Sequence, residues 1–228
     1  MELPPDLDRV LGPRDVVVVE GADARTYLHS QLSQAIDDLA VGEERWSFAL
    51  DPTGKVLSLA RVRCVADDRF ELDTDAGHGA DLLARLDRFK IRVDATTSLE
   101  PATPDDGGGG PPVDAVGSIE ADRVALGWPR LGAEIVPGET IPAGTGLTRL
   151  AVSFTKGCYP GQELVERMDS RAAEAPRSLR RIEVGDGAAP GDPVLDGDDE
   201  VGVLTSVAGG RALGWVKRAS DVGEVVQF

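Results

Sequence analysis

The N-terminal part of the chain switches repeatedly between two hydrophobic periods, and this switching does most to limit its fold. Residues 16–20 are a β-branched run that predicts a strand. Asp23 is placed as an N-cap, and Ala24, Leu28 and Leu32 then recur every four residues along a predicted helix. Residues 46–51 and 56–65 read as two strands, joined by a hairpin turn at Pro52-Thr53-Gly54. Residues 69–73 add a strand. Leu82, Leu83, Leu86 and Phe89 place a helix over 80–89, and residues 91–95 read as the last strand of the set. Strand, helix, strands, helix, strand predicts an α+β fold built on a ferredoxin-like split βαβ unit.

Beyond it, residues 101–112 contain Asp105-Asp106, four successive glycines and two prolines, a composition that reads as a flexible loop. A short helix is expected over 120–128 and a strand over 150–154. Candidate strands at 179–184, 201–207, 212–217 and 224–228 are separated by Gly, Asp and Pro, and suggest a small antiparallel β-barrel or sandwich. The expected division is 1–172, carrying the 101–112 loop, and 173–228.

Between these parts lies Lys156-Gly157-Cys158-Tyr159-Pro160-Gly161-Gln162-Glu163, followed by Arg167. Pro160-Gly161 is a turn dipeptide, and Leu164, Val165 and Met168 then recur at helical spacing. Cys158 is thus predicted in a tight loop just before a helix. A thiol reacts or ligates as thiolate, and a nearby cation or a helix N-terminus favours that form. Two readings stay open on residue chemistry: a working thiol beside Lys156, or a small buried hydrophobe in a glycine-rich turn.

Lys156, Gly157, Cys158, Tyr159, Gly161, Gln162, Glu163 and Arg167 together resemble the signature of the YgfZ-type folate-binding proteins. These are relatives of the glycine-cleavage T-protein, the aminomethyltransferase. Residues 21–28, 50–56, 127–135 and 201–206 also resemble segments of that family, so the likeness covers most of the chain. It implies an aminomethyltransferase-like folate-binding region followed by a C-terminal barrel. It implies tetrahydrofolate as cofactor and a role in iron–sulfur cluster assembly or repair, including in tRNA-modifying enzymes. Cys158 would be the working, catalytic thiol. Lys156, Tyr159, Gln162, Glu163 and Arg167 would line the cofactor site. The aminomethyltransferases carry an acidic pair after the hairpin glycine, whereas Gly54-Lys55-Val56-Leu57-Ser58-Leu59 has no acid. Ala143 follows Pro142 where the family has Gln or Glu. The alternatives are a tetrahydrofolate-dependent aminomethyl or one-carbon transferase, and a protein that keeps the fold without folate.

Charge narrows the partners. With 24 basic and 40 acidic residues the formal net charge is −16, which argues against nucleic-acid binding through phosphates and favours a monomer. Arg167, Arg171, Arg177, Arg180 and Arg181 nevertheless cluster in sequence, as a basic patch for a small anion or as ion pairs with Glu163, Glu166, Asp169 and Glu174. No apolar run has membrane-spanning length, and the first residues lack the pattern of a signal peptide, so a cytoplasmic, bacterial-type protein is expected. Cys64 and Cys158 make no disulfide framework, and two cysteines cannot hold a four-thiolate cluster. Any cluster would be shared with an iron–sulfur client or assembly protein. His29 reads as a surface or cap residue, Cys64 as a buried structural thiol, and no metal site is expected from two isolated histidines.

Overall fold

The computed structural model describes residues 7–102, 113–170 and 175–228. The 103–112 part of the glycine loop, the first residues of the chain, Arg171, Glu174 and the 172/173 boundary lie outside them. Five strands, β1 (Arg14–Glu20), β2 (Glu44–Leu50), β3 (Val56–Ala66), β4 (Arg69–Asp75) and β5 (Thr96–Glu100), form an antiparallel sheet in the order β2-β3-β4-β1-β5. A one-turn helix, α1 (Leu7–Val10), precedes β1; α2 (Ala24–Gln31) and α3 (Gly79–Phe89) connect strands.

Alternation along β2 explains the layering. Trp46, Phe48 and Leu50 point to one face and Ala49 to the other. On the Ala49 face, Tyr27, Leu28, Leu82 and Leu86 of α2 and α3 bury Val17, Val19, Val62 and Leu72. On the Trp46 face the cover is the later chain: Trp128, Leu131, Ile135, Leu147, Tyr159 and Val165. Trp46 and Trp128 meet at 4.7 Å between ring centroids, and Phe228 packs edge-on to Trp128 at 5.2 Å. Such pairs contribute roughly 0.5–1.5 kcal/mol each beyond area burial.

The C-terminal strands β6 (Arg177–Glu183), β7 (Pro193–Asp196), β8 (Asp199–Ala208), β9 (Arg211–Lys217) and β10 (Glu224–Val225) form a second antiparallel sheet, β10-β6-β9-β8-β7. Among the described residues no pairing joins β7 to β10, so the ladder is open. Helix α4 (Val113–Leu126) packs on β8 and β9 and buries Val124 against Leu179, Leu213 and Val226.

A buried ionic network joins the two sheets through the segment after α4. The Glu134 carboxylate is fully buried. Its Oε2 accepts from Arg123 Nη1 at 2.9 Å and from the Arg130 N–H at 3.1 Å. Its Oε1 accepts from the Thr205 and Ser206 hydroxyls at 2.8 and 2.5 Å. Both hydroxyls reach one oxygen because the β8 register shifts between Leu204 and Ser206. On the first sheet, Asp75 accepts from the Leu131 N–H at 2.8 Å and pairs with Arg14.

Three expectations need correction. The strand after α3 is 96–100, not 91–95: Arg92 takes φ 55, and the Asp94 N–H donates to Asp23 Oδ2 at 2.9 Å. That same bond diverts Asp23, whose side chain does not cap α2. Residues 150–154 are not a strand. The chain makes a helical turn, α5 (Thr148–Ala151), and then runs irregularly, because Gln34 Nε2 and Ser33 Oγ take the Leu150 and Ala151 carbonyls. Strand β7 gives little sequence signal, with only Val194 and Leu195 apolar, and owes its form to pairing with β8.

Candidate functional site

The Cys158 loop leads into α6 (Gln162–Ser170), as the turn residues indicate. Cys158 is a free, exposed thiol, so it is not a small buried hydrophobe. The loop is clamped on both sides. On one, the Lys156 ammonium donates to the carbonyls of His29, Leu32 and Gln34, at 2.6 Å to Leu32 and 3.2 Å to Gln34. These carbonyls lie at and just past the end of α2, where a cation complements the helix dipole. On the other side, Gly161 lies against the β2–β3 hairpin. A Cβ there would be 2.9 Å from Gly54 Cα and 3.0 Å from Leu50 Cβ. Gly54 and Gly161 both have positive φ, +87 and +84, which permits this approach of backbone to backbone.

Lys156 therefore holds the loop through α2, with its ammonium 5.1 Å from the Tyr159 ring centroid. Burial lowers its pKa to about 8, partly opposed by Asp37. The unfolded chain then binds the proton more tightly between about 8 and 10.5, so this group makes stability rise with pH through that window. Urea midpoints should show the gap between the native protein and Lys156→Met growing across it. A gap that stays flat would mean that the ammonium keeps its charge among the carbonyls.

Tyr159 is buried, and its hydroxyl has no partner among the described residues; burial, with Glu166 adding, pushes its pKa up to about 12, which keeps it a donor. Gln162 turns its Oε1 back to the Tyr159 N–H at 2.9 Å, fixing the entry to α6. Glu163 and Arg167 are exposed on α6, and among the described residues neither makes an ion pair. The structure thus brings Lys156, Tyr159 and Gln162 into one packed unit and leaves Cys158, Glu163 and Arg167 facing solvent.

The sequence cluster of arginines does not form one patch. Arg180 is buried, donating to the carbonyls of Val222 and Arg218, whereas Arg181 pairs with Glu224 at 2.8 Å. Alternation along β6 separates them. Arg177 is exposed at the start of that strand. Cys64 behaves as the sequence suggests, whereas His29, expected as a surface or cap residue, has a side chain only 20% exposed. Cys64 is fully buried, with Arg25 Nη2 3.4 Å from its sulfur. His29 Nδ1 accepts from the Ile36 and Asp37 N–H groups and so ties down the loop after α2.

Sequence reasoning missed Arg85. It is buried on α3, donates to the Leu50 carbonyl at 3.0 Å and to Gln31 Oε1 at 3.2 Å, and leaves Nη2 without an acceptor. Burial lowers its pKa. Among the described residues it has no carboxylate in ion-pair contact, and it bonds the carbonyl of Leu50, the residue that Gly161 packs against. The spacing gave only a helix face; a cation on the apolar side of that face was the available signal.

The hairpin turn carries one acid, Asp51, and the turn itself occupies it. Oδ1 accepts from the N–H groups of Thr53 and Lys55 and from the Thr53 hydroxyl. Partial burial raises its pKa, but these donors outweigh it and hold the carboxyl below its usual range. It is a weak base.

No protein-family model matches the chain. An uncharacterized protein of Haemophilus influenzae is 28% identical over 193 residues, 69% of this chain and 67% of that protein. The mitochondrial iron-sulfur cluster assembly factor IBA57 homolog of Neurospora crassa is 32% identical over 116 residues, 50% of this chain. That match spans 25% of the Neurospora protein. Among solved structures, the glycine cleavage system aminomethyltransferase T of Bartonella henselae is similar with a TM-score of 0.76 at 17% identity, over 96% of this chain and 83% of that one. The chain therefore shares its overall fold with glycine cleavage system aminomethyltransferase T.

Proposed function

We propose that this protein is a folate-binding accessory factor that supports iron–sulfur cluster assembly or repair, with tRNA-modifying enzymes among its clients. One observation carries the reading: an exposed thiol held on a clamped loop beside a hairpin turn whose single acid is used up by the turn itself. A transferase needs a free carboxylate there to act on the aminomethyl nitrogen, and the strand after Gly54 supplies none. The likeness to a protein described as an iron–sulfur cluster assembly factor supports the same choice.

Folate is tested against the residues present. Two buried donors near the loop, Tyr159 Oη and Arg85 Nη2, lack acceptors of their own, which suits a ligand rich in carbonyl and carboxylate oxygens. Tyr159 and Arg85 would hold it, with Gln162 fixing the loop and Arg167 offering an exposed cation to its anionic tail. Tetrahydrofolate carries one-carbon units when bound. The chain's own contribution is to orient Cys158 toward solvent, where a partner protein can reach it.

Anaerobic calorimetric titration with tetrahydrofolate should show saturable binding that weakens in Arg167→Ala. A cell lacking the native protein should regain cluster-enzyme activity from the native sequence and lose most of it with Cys158→Ser. Full rescue by Cys158→Ser would remove the thiol from the mechanism, and absence of folate binding would leave only the protein-contact role.

A further inference from the structure

At the Lys55 end of the β2–β3 hairpin turn, a cleft of about 480 Å3 opens where the start of β3 and the segment 136–141 meet β6 and β9. That size suits a small organic ligand. Val136, Ile141 and Pro176 line it beside the indole of Trp215. Trp215 is only half-buried, whereas Trp46 and Trp128 are each 2% exposed. Its indole N–H donates to the Glu134 carbonyl at 2.9 Å, and its ring lies on Gly144, where a Cβ would fall 2.7 Å from Cζ3. The aromatic wall is therefore fixed by the buried network behind it.

Lys55, Arg177 and Lys217 surround this apolar wall, with Glu139 the one acid in the lining. In a chain with 40 acids to 24 bases, most cations should find a carboxylate. Among the described residues the side chains of Lys55 and Arg177 make no hydrogen bond or ion pair, and the Lys217 ammonium donates only to the Glu200 carbonyl. The sheet register also sets Arg177 directly opposite Lys217 on β9. Like charges in that position destabilise a sheet, and an anion between them would relieve the repulsion. Ring faces and free cations around one slot select a flat apolar body bearing a negative group.

We propose that this cleft binds a planar aromatic anion, its ring against Trp215 and its carboxylate or phosphate among Lys55, Arg177 and Lys217. The site does not depend on the iron–sulfur reading. The full-length protein would be titrated with 2-naphthoate, 2-naphthyl phosphate and the neutral 2-naphthylmethanol, following the indole N–H resonance of Trp215, which is assigned with Trp215→Phe. Either anion should shift that resonance saturably, and the tighter of the two identifies the headgroup. The neutral alcohol and the Lys55→Ala/Arg177→Ala double variant should each bind roughly tenfold more weakly, a change of about 1.4 kcal/mol. Because the side chains of Lys55 and Arg177 have no partners among the described residues, and Arg177 faces Lys217, the double variant should unfold at or above the native temperature. No shift of the Trp215 resonance at millimolar anion would overturn the proposal. So would equal affinity for the alcohol, or an unweakened double variant.

Discussion

Replacing Glu134 with alanine should cost about 3–5 kcal/mol of folding stability, because it takes one of two carboxylate partners from a buried guanidinium and leaves several buried donors without their acceptor. The Arg123 side chain is 2% exposed and that of Glu134 is 0%. In the native protein four donors converge on the Glu134 carboxylate from α4, the 127–135 segment and β8. Alanine removes both carboxylate oxygens at once and leaves Arg123 with the Trp128 carbonyl, the Ser206 hydroxyl and Glu120, whose side chain is 28% exposed. Urea unfolding at constant m-value would report the loss as a lower midpoint. Glu134→Gln keeps the volume and one acceptor oxygen and should lose less. The double change Arg123→Met/Glu134→Leu removes both charges and should be less harmful than Glu134→Ala, since no ion is left unpaired. If Glu134→Ala stays within about 1 kcal/mol of the native protein, the network does not hold the two sheets together.

Gly161→Ala should undock the Cys158 loop. The new methyl would overlap the Asp51 carbonyl and sit 2.9 Å from Gly54 Cα, both of them backbone that no rotamer change can move. The left-handed φ of +84 adds about 1–2 kcal/mol for any residue with a Cβ. We expect a total loss of about 2–4 kcal/mol, faster proteolysis within 154–161, and weak rescue of cluster-dependent activity. Gly157→Ala is the internal control. It lies in the same loop with no atom within 4 Å of its would-be Cβ, and it should change stability by less than about 0.5 kcal/mol. Equal stability of the two variants would show that the loop does not depend on contact with the hairpin.

Local chemistry made part of this legible in advance. Leu82, Leu83, Leu86 and Phe89 specify α3 because their spacing alone makes one apolar stripe, and the helix is found at Gly79–Phe89. Pro160-Gly161 puts Cys158 ahead of α6 because a turn dipeptide acts on its nearest neighbours. The strand near 96–100 was misplaced by its apolar content: Ile91 is 76% exposed, while the polar Thr96–Glu100 segment pairs with β1. Backbone pairing, not side-chain polarity, decides an edge strand.

The sequence by itself determined the α+β character, the hairpin at Gly54 and the turn that sets Cys158 just ahead of a helix. Each rests on residues within a few positions of one another, so its physics is complete before the chain folds. Only the tertiary structure decided what the charged groups do. Lys156 reaches back 127 positions to the end of α2, and Ser206 reaches Glu134 across 72. Arg180 is buried while Arg177 is exposed and lines the cleft beside Trp215. Long side chains with several rotatable bonds take the nearest unsatisfied partner in space, and which partner that is depends on how the sheets pack, not on sequence spacing.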